Sequence, residues 1–177
     1  ISAEHREKVA AYADKAREQG AKILTGGRAA TSEDTNGQHG TGTTDLGAGV
    51  YYLPTIIDGA TREMDCVHDE AFGPTVTIET FTTEEEAIEI ANDTEYGLAG
   101  AVYTSDAGRA ERVARALRHG TIWINDFHPY LPQAEWGGYK QSGNGRELGP
   151  TGLAEYQEHK HVYQNLSPAA WDQFGLQ

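Results

Sequence analysis

Leu98–Asn125, LAGAVYTSDAGRAERVARALRHGTIWIN, is the stretch that decides the fold class. Leu98–Thr104 reads as a strand. Ser105 stands where a helix cap belongs. Ala110, Val113, Ala114 and Leu117 then fall on one helical face, and Gly120 ends the helix. Thr121–Asn125, TIWIN, reads as a buried strand. A strand, a helix and a second strand in this order predict parallel pairing with a right-handed crossover.

The pattern continues upstream. Thr83-Glu84-Glu85-Glu86 has the form of a capping box and opens a helix to about Asn92. Thr75–Phe81 precedes it as a strand, and Tyr51–Ile57 as another with an early proline. Nearer the start, Val9, Tyr12, Ala13 and Ala16 repeat at helical spacing between Ser2 and Gly20. A short strand follows at Lys22–Leu24. Residues 28–49 nearly lack large apolar side chains and read as a flexible surface insertion. The class is therefore α/β, with a parallel sheet.

Downstream, TIWIN runs directly into Asp126–Gly149. In open α/β sheets ligands gather beyond the carboxyl ends of strands, so this stretch lies where a site is expected. Its core, Gln133–Gly149 (QAEWGGYKQSGNGRELG), sets Trp136 against two of five glycines. Those glycines would let the backbone turn the indole inward. Phe127, Tyr130 and Tyr139 lie near in sequence. An indole among aromatics is either core or a cation site, and composition leaves both open.

Bulk properties narrow the classes. The 177 residues suffice for one domain, and no apolar run is long enough to span a membrane. Acidic residues outnumber basic ones 27 to 14, a net charge of −13, which repels nucleic-acid phosphates. The single cysteine, Cys66, leaves no internal disulfide and fits a reducing compartment, the cytoplasm. The chain starts at Ile1, so a piece of a longer protein is expected.

Each chemical candidate has a bland counterpart. Cys66 in MDCVHDE shares an extended-chain face with His68, which would allow a Cys/His pair. The flanking Asp65 and Asp69 suppress its thiolate, and a structural thiol is favoured. His159 and His161 would share one face of a strand, without a third metal ligand in reach. GGYKQSGNG lacks the ending of a phosphate loop. In Asp69–Pro74, DEAFGP, Glu70 could accept hydrogen bonds from ligand hydroxyls and Phe72 could pack a flat ring. A charged loop and a core phenylalanine explain them equally well.

DEAFGP, NDTEYGLAGAVYT, GTIWIND, WGGYKQSGNGRELG and GLAEYQEHKHV, in that order, resemble the carboxyl-terminal third of the aldehyde dehydrogenase superfamily. NDFHPYLPQAEWGGYKQSG is most similar to its bacterial betaine-aldehyde-type members. The resemblance implies a catalytic-domain portion over residues 1–155, an oligomerisation strand over 156–166 that makes a homo-oligomer, and a tail over 167–177. It implies that Glu70 hydrogen-bonds the nicotinamide ribose and that Phe72 packs near the nicotinamide of NAD or NADP. Trp136 becomes part of a box for a trimethylammonium group, Tyr130 lines the aldehyde tunnel, and His128 stands at its mouth. Lys140–Gly143 matches a region where some relatives bind potassium.

In that family the nucleophilic cysteine, the general-base glutamate and the dinucleotide domain all precede this region, and Cys66 does not match the catalytic position. The expectation is a portion of an enzyme that oxidises betaine aldehyde to glycine betaine, inactive alone and holding no catalytic residue itself. The alternatives are a portion of a general or aminoaldehyde dehydrogenase, or a non-enzymatic oligomerisation module.

Overall fold

In the computed structural model, residues 2–34 and 45–166 are described. Two compact units divide the chain, Ile1–Glu95 with Arg115–Leu117, and Tyr96–Ala114 with Arg118–Gln177.

The first unit opens with helix α1, Ala3–Glu18. Ser2 caps it by accepting a hydrogen bond from the His5 amide at 3.1 Å. Val9, Ala13 and Ala16 are its buried face. Strand β1, Lys22–Thr25, pairs antiparallel with β2, Thr55–Asp58, and β2 pairs parallel with β3, Thr75–Ile78. Ala16, Ala21, Ile57 and Met64 form the core beneath this sheet, flanked by Cys66 and Val67. Thr55 is buried and satisfied: its hydroxyl accepts from the Gly27 amide and donates to the Leu53 carbonyl, both at 2.8 Å.

β2 is shorter than Tyr51–Ile57. Pro54, without an amide proton, keeps the ladder from extending back to Tyr52, which makes only an isolated bridge with Ala29. β3 likewise stops at Ile78 rather than Phe81. Part of the expected insertion is ordered: Arg28 forms a two-pronged pair with Asp34 at 2.7 and 2.8 Å, and Leu46–Ala48 is a 3-10 turn. Its remainder, 35–44, lies outside the described residues.

Helix α2 is the single turn Asp65–His68. Helix α3 spans Glu84–Asn92 with Thr83 as its cap, accepting from the Glu86 amide at 3.1 Å. The reciprocal arm of the capping box lands one residue early. The Glu86 carboxylate accepts from the amide and hydroxyl of Thr82, both at 2.8 Å.

The second unit holds the predicted strand–helix–strand. Strand β4, Ala99–Val102, and strand β5, Thr121–Ile124, pair in parallel, joined through helix α4, Ala107–Ala116. The cap is Asp106, not Ser105. Its carboxylate accepts from the Arg109 amide at 3.0 Å, three residues on, and that bond lowers its pKa. Helix α4 stops at Ala116, before Gly120. β3 does not join β4 and β5 in one ladder; the strands form a three-stranded and a two-stranded sheet. Asn125 closes the β5 end by exchanging two hydrogen bonds with the Thr104 backbone, at 2.8 and 2.9 Å.

A short helix α5, Gly149–Ala154, follows the glycine-rich loop. The tail expected as a strand over 156–166 has no regular structure in the single chain, and Tyr156, Val162, Tyr163 and Leu166 are exposed. Among the described residues no strand pairs with this segment, so it forms no ladder there. No helix among the described residues is long and apolar enough to cross a membrane.

Candidate functional site

Two constellations carry the candidate residues, one in each unit. In the first, α1 braces the DEAFGP loop. A Cβ on Gly73 would stand 2.6 Å from a Val9 methyl, so glycine there lets the loop press on the helix. The His5 ring bonds the Phe72 carbonyl at 2.9 Å. Phe72 adopts φ +52°, costly for a bulky residue, and the residue is 69% exposed. Glu70 is exposed beside it, and both line an open groove of about 400 Å³ with Asp69, Thr75 and Thr77.

Cys66 touches the same groove from below, and the structure corrects its pairing. The segment is a helical turn, not extended, so Cys66 and His68 point about 200° apart. Burial pushes the thiol pKa up. A bond from its own backbone opposes this, and the Asp65 and Glu79 carboxylates add to the rise. Cys66 is a packing residue.

In the second unit, aromatic side chains converge at the carboxyl end of β5. Tyr130 and Trp136 have ring centroids 4.7 Å apart, tilted by 47°. His128 lies edge-on to Tyr130 at 5.0 Å and to Trp136 at 6.2 Å. The three candidates from sequence are thus brought together. Trp123 stacks on Trp136 at 5.8 Å with planes 29° apart, and meets the edges of Phe127 and His128 at 5.5 and 5.7 Å. Trp123 was missed as a site residue because it reads as strand core. The available signal was its place two residues before the chain leaves the sheet, where ligands gather.

The glycine-rich loop holds Trp136 by its backbone. Trp136 and Glu147 exchange two amide–carbonyl hydrogen bonds, each 2.7 Å. The amides of Tyr139 and Gly120 both donate to the Gly97 carbonyl, at 2.8 and 3.0 Å. Gly137 and Gly138 serve closeness rather than a turn. Neither has positive φ, and a Cβ on Gly137 would stand 2.4 Å from the Gly145 carbonyl oxygen. Glycine is demanded for conformation at Gly143 and Gly149, with φ +117° and +57°.

Beyond Trp136 the loop lines a second groove, of about 350 Å³, with Arg118, Lys140 and Arg146 around it. Arg146 lies 5.6 Å over the Tyr139 ring and donates to the Gly138 and Gly145 carbonyls at 3.0 and 2.8 Å. The Tyr139 and Lys140 carbonyls accept from Ser142 and Gly143. His159 and His161 are exposed in the tail.

Residues 1–162 match the model of the aldehyde dehydrogenase family. The chain belongs to that family. The resemblance drawn from its motifs and the α/β class are both borne out. Relatives within the aldehyde dehydrogenases include the betaine aldehyde dehydrogenase of Bacillus subtilis (strain 168), 55% identical over 174 residues, or 98% of this chain and 33% of the relative. The peroxisomal aminoaldehyde dehydrogenase 2 of Pisum sativum is 42% identical over 171 residues, 97% of this chain and 31% of the relative. Among solved structures, betaine aldehyde dehydrogenase from Staphylococcus aureus in complex with NAD+ superposes with a TM-score of 0.86 at 50% identity, covering 99% of this chain and 32% of that one. The chain spans about a third of the length of these relatives.

Proposed function

We propose that this chain works within a longer NAD-dependent aldehyde dehydrogenase that oxidises betaine aldehyde to glycine betaine. The observation that carries this is the convergence of Trp136, Tyr130 and His128 at the end of β5. The likeness to betaine aldehyde dehydrogenases supports it.

The physics is that of a cation on aromatic faces. A quaternary ammonium cannot accept a hydrogen bond or donate one, and aromatic faces attract it within about 6 Å of a centroid. Tyr130 and Trp136 at 4.7 Å leave no room between them. A cation would therefore rest against the cluster from outside, over the exposed Tyr130 and the part of the Trp136 indole that Trp123 leaves uncovered.

Glu70 and Phe72 would receive the nicotinamide riboside. Among the described residues the Glu70 carboxylate makes no hydrogen bond or ion pair, so both oxygens can accept from ribose hydroxyls. The adjacent Asp69 makes this groove hostile to phosphate, so an uncharged ribose suits it better than the pyrophosphate. The exposed Phe72 ring offers a flat apolar surface to the pyridine ring. When bound there, NAD+ would supply the hydride acceptor for the oxidation, with water as the source of the acid's second oxygen and two protons released to solvent. The tail, with its exposed Tyr156, Val162 and Tyr163, would find its strand partner in another copy, giving a homo-oligomer.

The test is kinetic. In the full-length enzyme, Trp136→Ala should lower kcat/KM for betaine aldehyde about tenfold more than for a neutral aldehyde of the same shape, the order expected from one desolvated cation–π contact. Equal losses would remove the cation role. The 177-residue chain alone should form no NADH from betaine aldehyde and NAD+. Likeness to aminoaldehyde dehydrogenases favours a second reading, in which the same rings hold a primary ammonium. A higher kcat/KM for ω-aminoaldehydes than for betaine aldehyde would select it.

A further inference from the structure

We infer that Trp123 is a positioning residue that fixes the plane of the Trp136 indole and thereby sets discrimination between charged and neutral aldehydes. This rests on the proposed betaine aldehyde activity.

The cluster has one anchored member. Trp123 is 8% exposed and sits on β5, where it pairs with Ala101 in the parallel ladder. Phe127 and Tyr130 are 69% and 50% exposed, and both sit on the loop that leaves the sheet. The bonds between Trp136 and Glu147 hold the backbone at Trp136, but a backbone bridge leaves side-chain torsions open. Ring orientation must come from side-chain neighbours. Of the three rings touching Trp136, Trp123 alone is buried, sheet-borne and near-parallel, offering a flat surface.

Orientation matters because the aromatic quadrupole is directional: the face attracts a cation and the edge repels it. An indole free to rotate presents its edge part of the time. A neutral aldehyde of equal shape senses only the apolar area and is indifferent to that average. Trp123 therefore acts on selectivity through another residue, without touching the substrate. It also backs His128, whose φ of +68° is strained for a non-glycine residue. Losing the indole frees two members of the cluster together.

The experiment compares Trp123→Phe, Trp123→Leu and Trp136→Ala in the full-length enzyme. The substrates are betaine aldehyde and 3,3-dimethylbutanal, its neutral carbon isostere. W123L should cut the charged-to-neutral ratio of kcat/KM about tenfold, chiefly through KM for betaine aldehyde, with kcat for the isostere nearly unchanged. W123F keeps a flat ring and should restore most of that ratio. Equal losses for both aldehydes in W123L, with W136A still losing more on betaine aldehyde than on the isostere, would overturn the inference and leave the betaine aldehyde reading standing; so would a ratio in W123F as low as that in W123L. Should W123L fail to fold, Trp123→Met, which also lacks a flat ring, carries the same prediction and the same overturning outcome. Equal losses for both aldehydes in W136A would overturn both.

Discussion

Cys66 shows what a single residue's surroundings do to its chemistry. Its thiol is half-buried against the Ile57–Met64 core, and burial and two carboxylates raise its pKa. A raised thiol pKa means less thiolate at neutral pH, and the thiolate is the nucleophile. Alkylation by iodoacetamide at pH 7.5 should run several-fold slower than that of a free cysteine, and climb about tenfold per pH unit through the ordinary thiol range and beyond. A rate matching or exceeding free cysteine would contradict its role as packing. The flanking acids pointed this way in the sequence. That Cys66 and His68 diverge did not, because two residues of spacing means one face in a strand and opposite sides in a helix.

At the scale of elements, the loop Gln133–Gly149 depends on close backbone approach. A Cβ on Gly120 would stand 1.7 Å from the Gly137 carbonyl oxygen, which cannot retreat without moving the Trp136–Glu147 bridge. Gly120→Ala should cost about 1–3 kcal/mol or more, as overpacking does. Its denaturant midpoint should fall accordingly. Gly145→Ala is the control: a Cβ there meets nothing within 4 Å, and the change should be neutral or stabilising by a few tenths of a kcal/mol. Equal effects at both sites would show that the loop tolerates side chains and that proximity does not hold it. Sequence marked Gly120 as a helix end and Gly137 as a turn. Only the fold reveals that these two glycines meet.

Across the whole molecule, charge is the dominant imbalance. With a net charge of −13, self-repulsion opposes compaction, and partly exposed ion pairs such as Arg62 with Glu89 and Asp93, Arg17 with Asp14, Arg28 with Asp34, and Lys15 with Asp65 offset little of it. Raising KCl from 0.1 to 1 M shortens the screening length from about 10 to 3 Å, weakening repulsion far more than those attractions. The thermal midpoint should rise over that range. A flat or falling midpoint would mean that the acidic surface is not a net cost to folding. The acidic excess is legible in composition, but the division into two sheets is not, because strand order depends on contacts between distant segments.

The amino-acid sequence by itself determined the α/β class, the order of α1, β1, β2, β3, α3, β4, α4 and β5, and membership in the aldehyde dehydrogenase family. These rest on periodicity, caps and motif order, which act within a few residues of chain. Tertiary structure alone decided that Asp106 caps α4, that Trp123 backs Trp136, and that paired glycines serve contact rather than a turn. Each depends on which atoms meet once the chain folds, and at most of these points the partners lie many residues apart.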